Sequence, residues 1–514
     1  MMKLLSSSCL ALALISASQA EVSAFSDFES THRTVTIDPS VRYQTMAGFG
    51  ASDCWSPAFV GKNWDAARRD SIATLLFEQN LHNGQAKGIG LSMWRVNLGG
   101  GSVEQGDSSG ITVPSRRAEC YLDADGNLDW NKCAGQRFWM EKARTMGVEK
   151  FVLFSVSPLV CFTYNGQARS DRGATSNLRP EHYDDFAGYL ADVALHFKNS
   201  GFNITHISPF NEPQYNWDGH GQEGSGWSID EQARMVRALD KALSDRHADI
   251  DILPGEATDW MRDVMPAYYS PKSSAYIGNL PHVKRLFGAH SYWTDCTWDS
   301  MRSVRDRVAA TADSLGVEVW QTEWSMMSAD SNYDHREFPG YADGTEIDHS
   351  IHMSRVIHND ITVGGCTCWS YWTSMDHDIP QHKNRFVLIR LTPEGDDISE
   401  GDGTFHVTTN LWVLGNYSLF VRPGFVRIRH DMPGENHDFF GSSYISPDGK
   451  RIVSVYTNSS GTPCTLQEKM DGRENASVCT FTTSATQCLE KTDIPPQGNI
   501  VLPPSSVVTV VYDF

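Results

Sequence analysis

This sequence has few basic residues relative to acidic ones. Its 514 residues hold 43 Lys and Arg against 63 Asp and Glu, a formal net charge of −20 at neutral pH. Nucleic-acid binding depends on Lys and Arg that neutralise phosphates, and no basic stripe runs along the chain. The balance therefore argues against a nucleic-acid partner, although negative charge alone identifies no substrate.

Long hydrophobic runs are also missing beyond the N-terminus. The basic start Met1-Met2-Lys3 precedes an apolar run over residues 9–15, and Ser18-Gln19-Ala20 follows it. This pattern predicts a signal peptide over residues 1–20, cleaved after Ala20. The run is too short for a membrane anchor, so we expect a secreted protein, in the periplasm or the medium.

The motifs of the common cofactors and metals are absent. No glycine-rich turn of the dinucleotide-binding type follows a predicted strand, and no two ligand pairs have zinc-finger spacing. Cys366 and Cys368 lie in an apolar strand and are expected to be buried thiols. The sequence therefore predicts neither a cofactor nor a metal site.

Cysteines remain numerous enough for disulfides once the signal peptide is removed. Export permits disulfide formation. The sequence predicts one disulfide between Cys120 and Cys133, and a second within a set of three, namely Cys464, Cys479 and Cys488.

Internal repeats and long linkers are missing, and helix and strand signals alternate instead from about residue 48 to about residue 420. An amphipathic helix over 183–197 opens after Pro180 and is followed by a strand at 204–207. Eight apolar strand candidates end in polar or aromatic residues. This predicts an α/β fold, a (β/α)8 barrel over residues 46–423, rather than a doubly wound open sheet.

A different pattern begins after residue 423. Segments 425–430, 451–456 and 506–512 alternate in the manner of strands, with a hairpin turn at 447–449. Residues 424–514 are thus predicted to form an antiparallel β-sandwich. The N-terminal segment 21–45 holds a further strand candidate and is expected to join that sandwich.

Two glutamates occupy strand ends of the predicted barrel. Glu212 lies in Asn-Glu-Pro and Glu323 in Gln-Thr-Glu-Trp, each after a short apolar run. Strand ends at one mouth of a barrel bring such carboxylates together. A carboxylate pair across an aromatic-lined cleft can break a glycosidic bond.

The chain resembles glycoside hydrolase family 30 over almost its whole mature length. The matching motifs occur in order along the chain: Gly48-Phe49-Gly50, Arg95 through Gly100, Ser157-Pro158, Asn211-Glu212-Pro213, Glu323, and Leu414 through Gly424. The resemblance implies a retaining hydrolase in which Glu323 is the nucleophile and Glu212 the general acid/base. It also implies that Asn211 contacts the sugar 2-hydroxyl and that Arg95 orients Glu323.

Further residues at strand ends are candidates for the cleft. His290 or Tyr292 is expected to hydrogen-bond the nucleophile, and Asn97 to contact substrate. Glu256 also ends a strand and is a weaker candidate for the cleft wall. The candidate sugar platforms are tryptophans, with Trp369 favoured: Trp55, Trp217, Trp293, Trp369 and Trp372.

Several substrates are compatible with the resemblance. The segment 211–217 with Gln222-Glu223-Gly224 is most similar to enzymes that cut β-1,6-galactan side chains of plant arabinogalactan internally. Glucuronoxylan is the next candidate, but the acidic loop 376–404 is a poor receiver for a uronate. A β-1,6-glucanase of the same family, and an inactive carbohydrate-binding protein, also remain open. We expect a monomer with a polysaccharide as its partner.

Overall fold

The computed structural model describes residues 31–262, 264–377, 379–495 and 498–514. The predicted signal peptide lies outside these residues. Within the described ranges, no helix is both long and apolar enough to cross a membrane.

Strands form the barrel wall and most of the C-terminal domain. In chain order they are β1 (Thr31–Thr45), β2 (Gly48–Ser52), β3 (Leu81–His82), β4 (Gln85–Ala86), β5 (Met93–Leu98), β6 (Lys150–Ser155), β7 (Ile204–Ser208), β8 (Asp251–Ile252), β9 (Gly255–Ala257), β10 (Leu286–His290), β11 (Glu318–Glu323), β12 (Cys368–Tyr371), β13 (Met375–His377), β14 (Ile389–Pro393), β15 (Gly403–Val407), β16 (Val426–Asp431), β17 (Phe439–Ile445), β18 (Arg451–Asn458), β19 (Cys464–Lys469), β20 (Ser477–Thr483), β21 (Glu490–Ile494), β22 (Ile500–Leu502) and β23 (Ser506–Asp513).

Helices cover the outside of the barrel. They are α1 (Ser56–Asn63), α2 (Ala66–Phe77), α3 (Ser102–Gln105), α4 (Ala134–Thr145), α5 (Tyr183–Asn199), α6 (Ile229–Asp245), α7 (Met265–Tyr269), α8 (Trp298–Leu315), α9 (Gly340–Asp343), α10 (Glu346–Thr362) and α11 (Thr409–Ser418). A capping box opens α6, in which Ser228 and Glu231 are bonded reciprocally.

The barrel is closed by eight strand positions, and the predicted (β/α)8 architecture is confirmed. The parallel order is β8-β7-β6-β5-β2-β12-β11-β10-β9. Strands β8 and β9 are two halves of one position, since β8 pairs with β7 and β9 pairs with β10. All eight strand ends therefore face one mouth, where barrel enzymes carry their functional residues.

The C-terminal domain is one curled sheet with the order β21-β20-β23-β18-β17-β16-β1-β19-β22. Strand β1 pairs antiparallel with β16 and parallel with β19, so this N-terminal strand lies within the C-terminal sheet. Glu468 of β19 accepts hydrogen bonds from Tyr456 of β18 and Tyr512 of β23, which stand far from β19 in that order. The sheet thus folds onto itself as a two-layer sandwich.

Helix α10 connects the two domains. Ser354 on its inner face hydrogen-bonds Tyr417 of α11 and Thr457 of β18. The helix is buried along nearly its whole length, since it packs on the barrel from one side and on the sandwich from the other.

The predicted disulfides were wrong. All ten cysteines in the described ranges are free thiols. Cys464 lies on β19 and Cys479 on β20, at opposite ends of the sheet order, with Cys488 in the turn after β20. Cys120 and Cys133 are both buried and unbonded, and the Cys120 thiol lies against Glu104 and the Leu122 carbonyl instead. The expected burial of Cys366 and Cys368 is confirmed.

Candidate active site

The two glutamates singled out by the sequence meet at the barrel mouth. Glu323 is the last residue of β11, and Glu212 follows β7 after four residues. One carboxylate oxygen of each lies within 4.8 Å of the other. This close approach is typical of retaining glycosidases, whose carboxyls lie about 5–5.5 Å apart, whereas inverting enzymes leave about 6.5–9.5 Å.

Arg95 lies beneath the two glutamates and binds three partners. Its guanidinium donates to Glu323 at 2.7 Å, to Asn211 Oδ1 at 2.8 Å and to Glu256 at 3.1 Å. The residue is fully buried, so it contacts carboxylates rather than a ligand in the cleft. Its hydrogen bond to Glu323 fixes the rotamer of that side chain.

His290 is the second buried cation. Its Nδ1 lies 3.0 Å from Glu212 Oε1 and 3.6 Å from Glu323 Oε1, and its Nε2 lies 3.2 Å from Glu256 Oε2. Burial lowers the pKa of His290, but the Glu323 charge and the bonds to Glu212 and Glu256 outweigh it and raise the pKa to about 10. The imidazole is therefore doubly protonated at neutral pH and donates from both nitrogens.

Glu256 lies under the site rather than in it. It is fully buried and is absent from the cleft wall, which corrects the expectation that it lines the cleft. Burial raises the pKa of Glu256, but the Arg95 charge and the His290 bond outweigh burial and lower the pKa to about 2. This carboxyl is a permanent anion.

The pKa of Glu212 is shifted in the opposite direction to that of Glu256. Burial raises its pKa above the ordinary value, while the bond and charge of His290 lower it and the Glu323 charge raises it again. A carboxyl that keeps its proton toward neutral pH is suited to donate it. The neighbouring Tyr292 donates its hydroxyl to Glu323 Oε1 at 2.9 Å, as predicted.

A metal ion does not fit this cluster. Within the described part of the chain, Glu212, His290 and Glu323 form the one group whose ligand atoms lie close enough to share an ion. A metal needs the lone pair of a neutral imidazole nitrogen. Both His290 nitrogens are directed at carboxylates, so a metal ion here would have to displace the contact with Glu212 or with Glu256.

The cleft above the glutamates has two lobes. The first, about 200 Å³, contains both glutamates and continues beside Glu212. The second, about 250 Å³, lies beside the segment after Glu323. The two lobes share four side chains, and these are Trp55, Gln222, Met327 and Trp372.

Aromatic rings form much of the wall. Trp55 and Trp372 meet edge to face at 5.0 Å where the lobes join. Trp217 donates its indole N–H to the Glu212 carbonyl at 3.3 Å, and Trp293 lies parallel to Tyr215 with ring centroids 6.3 Å apart. Flat apolar faces with polar edges are suited to sugar rings.

The backbone at this mouth is strained. Four non-glycine residues of the site have positive φ: Trp55 at 71°, Glu212 at 45°, Glu256 at 43° and Trp293 at 55°. Such conformations are costly and cluster at functional sites, where surrounding structure imposes them. The Glu212 turn is held by its own N–H, which donates to the Glu256 carbonyl at 2.9 Å.

Two predicted substrate contacts are wrong. Trp369 is fully buried, and its indole N–H donates to Asp360 at 2.9 Å, because its side chain leaves β12 toward the helix layer. Trp372, three residues on, lines the cleft in its place. Asn97 is buried behind the wall, where its backbone binds Asp53 and Gln136.

The remaining predicted residues meet at the cleft or directly below it. Asn211, Glu212, Tyr292, Glu323, Trp55 and Trp217 line the cleft, and Arg95 and His290 support it. Tyr215 also lines the cleft and was not among the predicted residues, although it lies three residues after Glu212 in the same loop.

Comparison with known proteins agrees with this geometry. Residues 32–381 match the family profile described as O-Glycosyl hydrolase family 30. The chain belongs to this family. It is therefore an O-glycoside hydrolase by descent, with the barrel and β-rich domain of that family.

Individual relatives differ in substrate. An endo-β-1,6-galactanase of Hypocrea rufa is 27% identical over 372 residues, 68% of this chain and 69% of that protein. The glucuronoxylanase XynC of Bacillus subtilis (strain 168) is 22% identical over 489 residues, 93% and 91% of the two chains. The crystal structure of a conserved exported protein from Bacteroides fragilis is 30% identical, covers 93% of this chain and 100% of its own, and superposes with a TM-score of 0.85.

Proposed function

We propose that this family 30 hydrolase is a secreted, retaining endo-β-1,6-galactanase that cuts side chains of arabinogalactan. Its nearest support on substrate is the similarity to the Hypocrea rufa endo-β-1,6-galactanase. The mechanism rests on one observation, the close pair of Glu212 and Glu323 with opposite electrostatic surroundings.

In the first step of the proposed reaction, ionised Glu323 attacks the anomeric carbon and Glu212 gives its proton to the leaving oxygen. Arg95 and Tyr292 hold the attacking carboxylate by two hydrogen bonds. In the second step, Glu212 takes a proton from water, which attacks the same carbon and releases the sugar from Glu323. The anomeric configuration is retained because it is inverted twice.

Asn211 is the proposed partner of the sugar 2-hydroxyl. Arg95 occupies its amide oxygen at 2.8 Å, which fixes the orientation of the amide group. The amide nitrogen is then the end that serves the substrate, and a bond to the 2-hydroxyl strengthens in the transition state.

A neutral substrate fits the second lobe better than a uronate does. Arg116 pairs with Asp376 at 2.7 Å, and Arg390 pairs with Glu346 at 3.2 Å. Lys383 donates to the carbonyls of Ala342 and Gly344. These cations are already engaged, so a uronate would have to displace an existing partner. Glucuronoxylan stays the second candidate because XynC matches over most of both chains.

The experiment is hydrolysis of de-arabinosylated arabinogalactan, glucuronoxylan and β-1,6-glucan, with products followed by size and by anomeric NMR. Short galacto-oligosaccharides, released early as the β-anomer, are expected. Products from glucuronoxylan or glucan alone would overturn the galactan assignment. No product from any of the three would favour an inactive binding protein, and an α-anomer would overturn the retaining mechanism.

A further inference from the structure

The buried layer under the cleft holds more charge than two catalytic carboxyls require. Three carboxyls and two cations meet there: Glu212, Glu256 and Glu323 with Arg95 and His290. Both cations and Glu256 have side chains exposed by 1% or less. Water therefore contributes little screening, and the charges have to balance within the layer.

Glu256 is held in this layer by hydrogen bonds from four different strands. It accepts hydrogen bonds from Ser208 at 2.7 Å, Thr322 at 2.8 Å, Arg95 at 3.1 Å and His290 at 3.2 Å. Ser208 ends β7, Thr322 lies in β11, Arg95 in β5 and His290 ends β10. A carboxylate with so many donors is held in the ionised form.

We propose that Glu256 is a positioning residue that keeps Glu212 protonated, because its fixed negative charge balances one of the two buried cations. The inference rests on the proposed function, in which Glu212 is the proton donor. Glu256 touches no substrate and acts through His290 and Arg95.

The net charge of the buried layer depends on whether Glu212 holds its proton. With Glu256 and Glu323 ionised, the two anions balance Arg95 and the His290 imidazolium, and the layer is neutral when Glu212 holds its proton. Ionisation of Glu212 would add an uncompensated negative charge about 3 Å from His290 and beside Glu323. Without Glu256, and with His290 protonated, the same layer becomes neutral when Glu212 has lost its proton.

Two further ionisable groups lie next to the layer. Tyr292 faces Glu323 and stays neutral, since burial raises its pKa well above the ordinary value. Asp53 lies behind Arg95, and burial raises its pKa to about 7, so it carries at most a partial charge near neutrality. Burial lowers the pKa of His290, and the largest of the effects that raise it, the Glu323 charge, is still present without Glu256.

The test is Glu256→Gln, which removes the charge and keeps the shape. The alkaline limb of the pH profile of kcat/KM is expected to move down by at least about one pH unit, since Glu212 then ionises earlier. Loss of the proton donor should also matter more for poor leaving groups. Activity on the polysaccharide should fall at least about tenfold further than activity on an aryl glycoside with an acidic phenol.

Ser208→Ala is the matched control. It removes a hydrogen bond from the same carboxylate without removing charge. The alkaline limb of its pH profile of kcat/KM should coincide with that of the wild type. An unmoved limb in Glu256→Gln, an upward shift, or an equal loss on both kinds of substrate would overturn the inference.

Infrared difference spectroscopy covers the case in which Glu256→Gln does not fold. The wild type at pH 7 should show a protonated carboxyl band that Glu212→Gln removes and that Ser208→Ala, which removes no charge, retains. Asp53, whose pKa burial raises to about 7, contributes a band of its own to both proteins. A difference spectrum of wild type minus Glu212→Gln that lacks the protonated carboxyl band would overturn the inference. This measurement needs no substrate, so its failure is distinct from failure of the galactanase assignment.

Discussion

The indole ring of Trp217 lies flat on the backbone of Gly224. A methyl group on Gly224 would come within 2.3 Å of the ring, so no other residue fits there without displacing it. The same indole donates to the carbonyl oxygen of Glu212 at 3.3 Å. The glycine thus positions a cleft wall and, through it, the strained turn that carries the proposed acid.

Gly224→Ala is expected to lower kcat/KM by about tenfold or more, because a small misplacement of the acid is costly in a pre-organised site. Gly221→Ala is the control, since the same loop has open space at that position and no positive φ. Kinetics on the preferred polysaccharide, with thermal unfolding of each variant, measure the effect. Equal kinetics for the two variants would contradict the role given to the Trp217–Gly224 contact.

The two tryptophans of the last barrel strand should behave differently on substitution. Trp372→Ala removes a cleft wall and should raise KM, with a loss of stability as well, because its indole packs on Trp55 and Phe154. Trp369→Phe removes a buried hydrogen bond to Asp360 and should lower the free energy of unfolding by about 1–3 kcal/mol with KM unchanged. Urea unfolding and steady-state kinetics on both variants check this. A raised KM in Trp369→Phe would restore that residue as a sugar platform.

These two residues show where sequence reasoning stops. Glu212 and Glu323 were predictable because each follows a short apolar run and one mouth collects all strand ends. Which of Trp369 and Trp372 lines the cleft depends on where β12 ends and on which of its side chains point into the barrel. An apolar strand with aromatic residues at its end specifies neither. The role of Glu256 depends on neighbours from four strands, which no local pattern records.

The same limit of prediction from local sequence applies to the C-terminal domain. Strand β1 was predictable from its alternation, but the predicted disulfide among Cys464, Cys479 and Cys488 was wrong because strand order is not encoded locally. The three-stranded sheet of β13, β14 and β15 was missed for another reason. Its segment is rich in charge and was interpreted as a loop.

The contact between the barrel and the sandwich should weaken in acid. His358 of α10 lies 3.1 Å from Glu435, with Arg302 at 3.9 Å. Burial raises the pKa of Glu435, but the charges of His358 and Arg302 outweigh it and lower the pKa to about 2. A lowered carboxyl pKa contributes stability above the unfolded value of about 4.3, and that contribution disappears as the pH falls toward 2.

Glu435→Gln should therefore lower the free energy of unfolding at pH 7 by about 2 kcal/mol or less, since the side chain is 28% exposed. The difference from wild type should shrink between about pH 4.3 and pH 2, where wild-type Glu435 gains its proton. Urea unfolding as a function of pH measures both. A difference that stays constant over this range would show that the charge of Glu435 contributes nothing.

Glu323→Gln is the decisive substitution for the proposed mechanism. It should lower kcat by at least about a thousandfold on every substrate, because no other group can attack the anomeric carbon. Sugar binding should persist, since the amide preserves the shape of the cleft. Glu141→Gln, at an exposed glutamate of α4 paired with Arg144, is the control and should keep wild-type rates. Turnover that survives in Glu323→Gln would show that Glu323 is not the nucleophile.

Glu212→Gln distinguishes the acid/base from the nucleophile. This variant should still form the glycosyl-enzyme from an aryl glycoside with an acidic phenol, because that leaving group needs no proton donor.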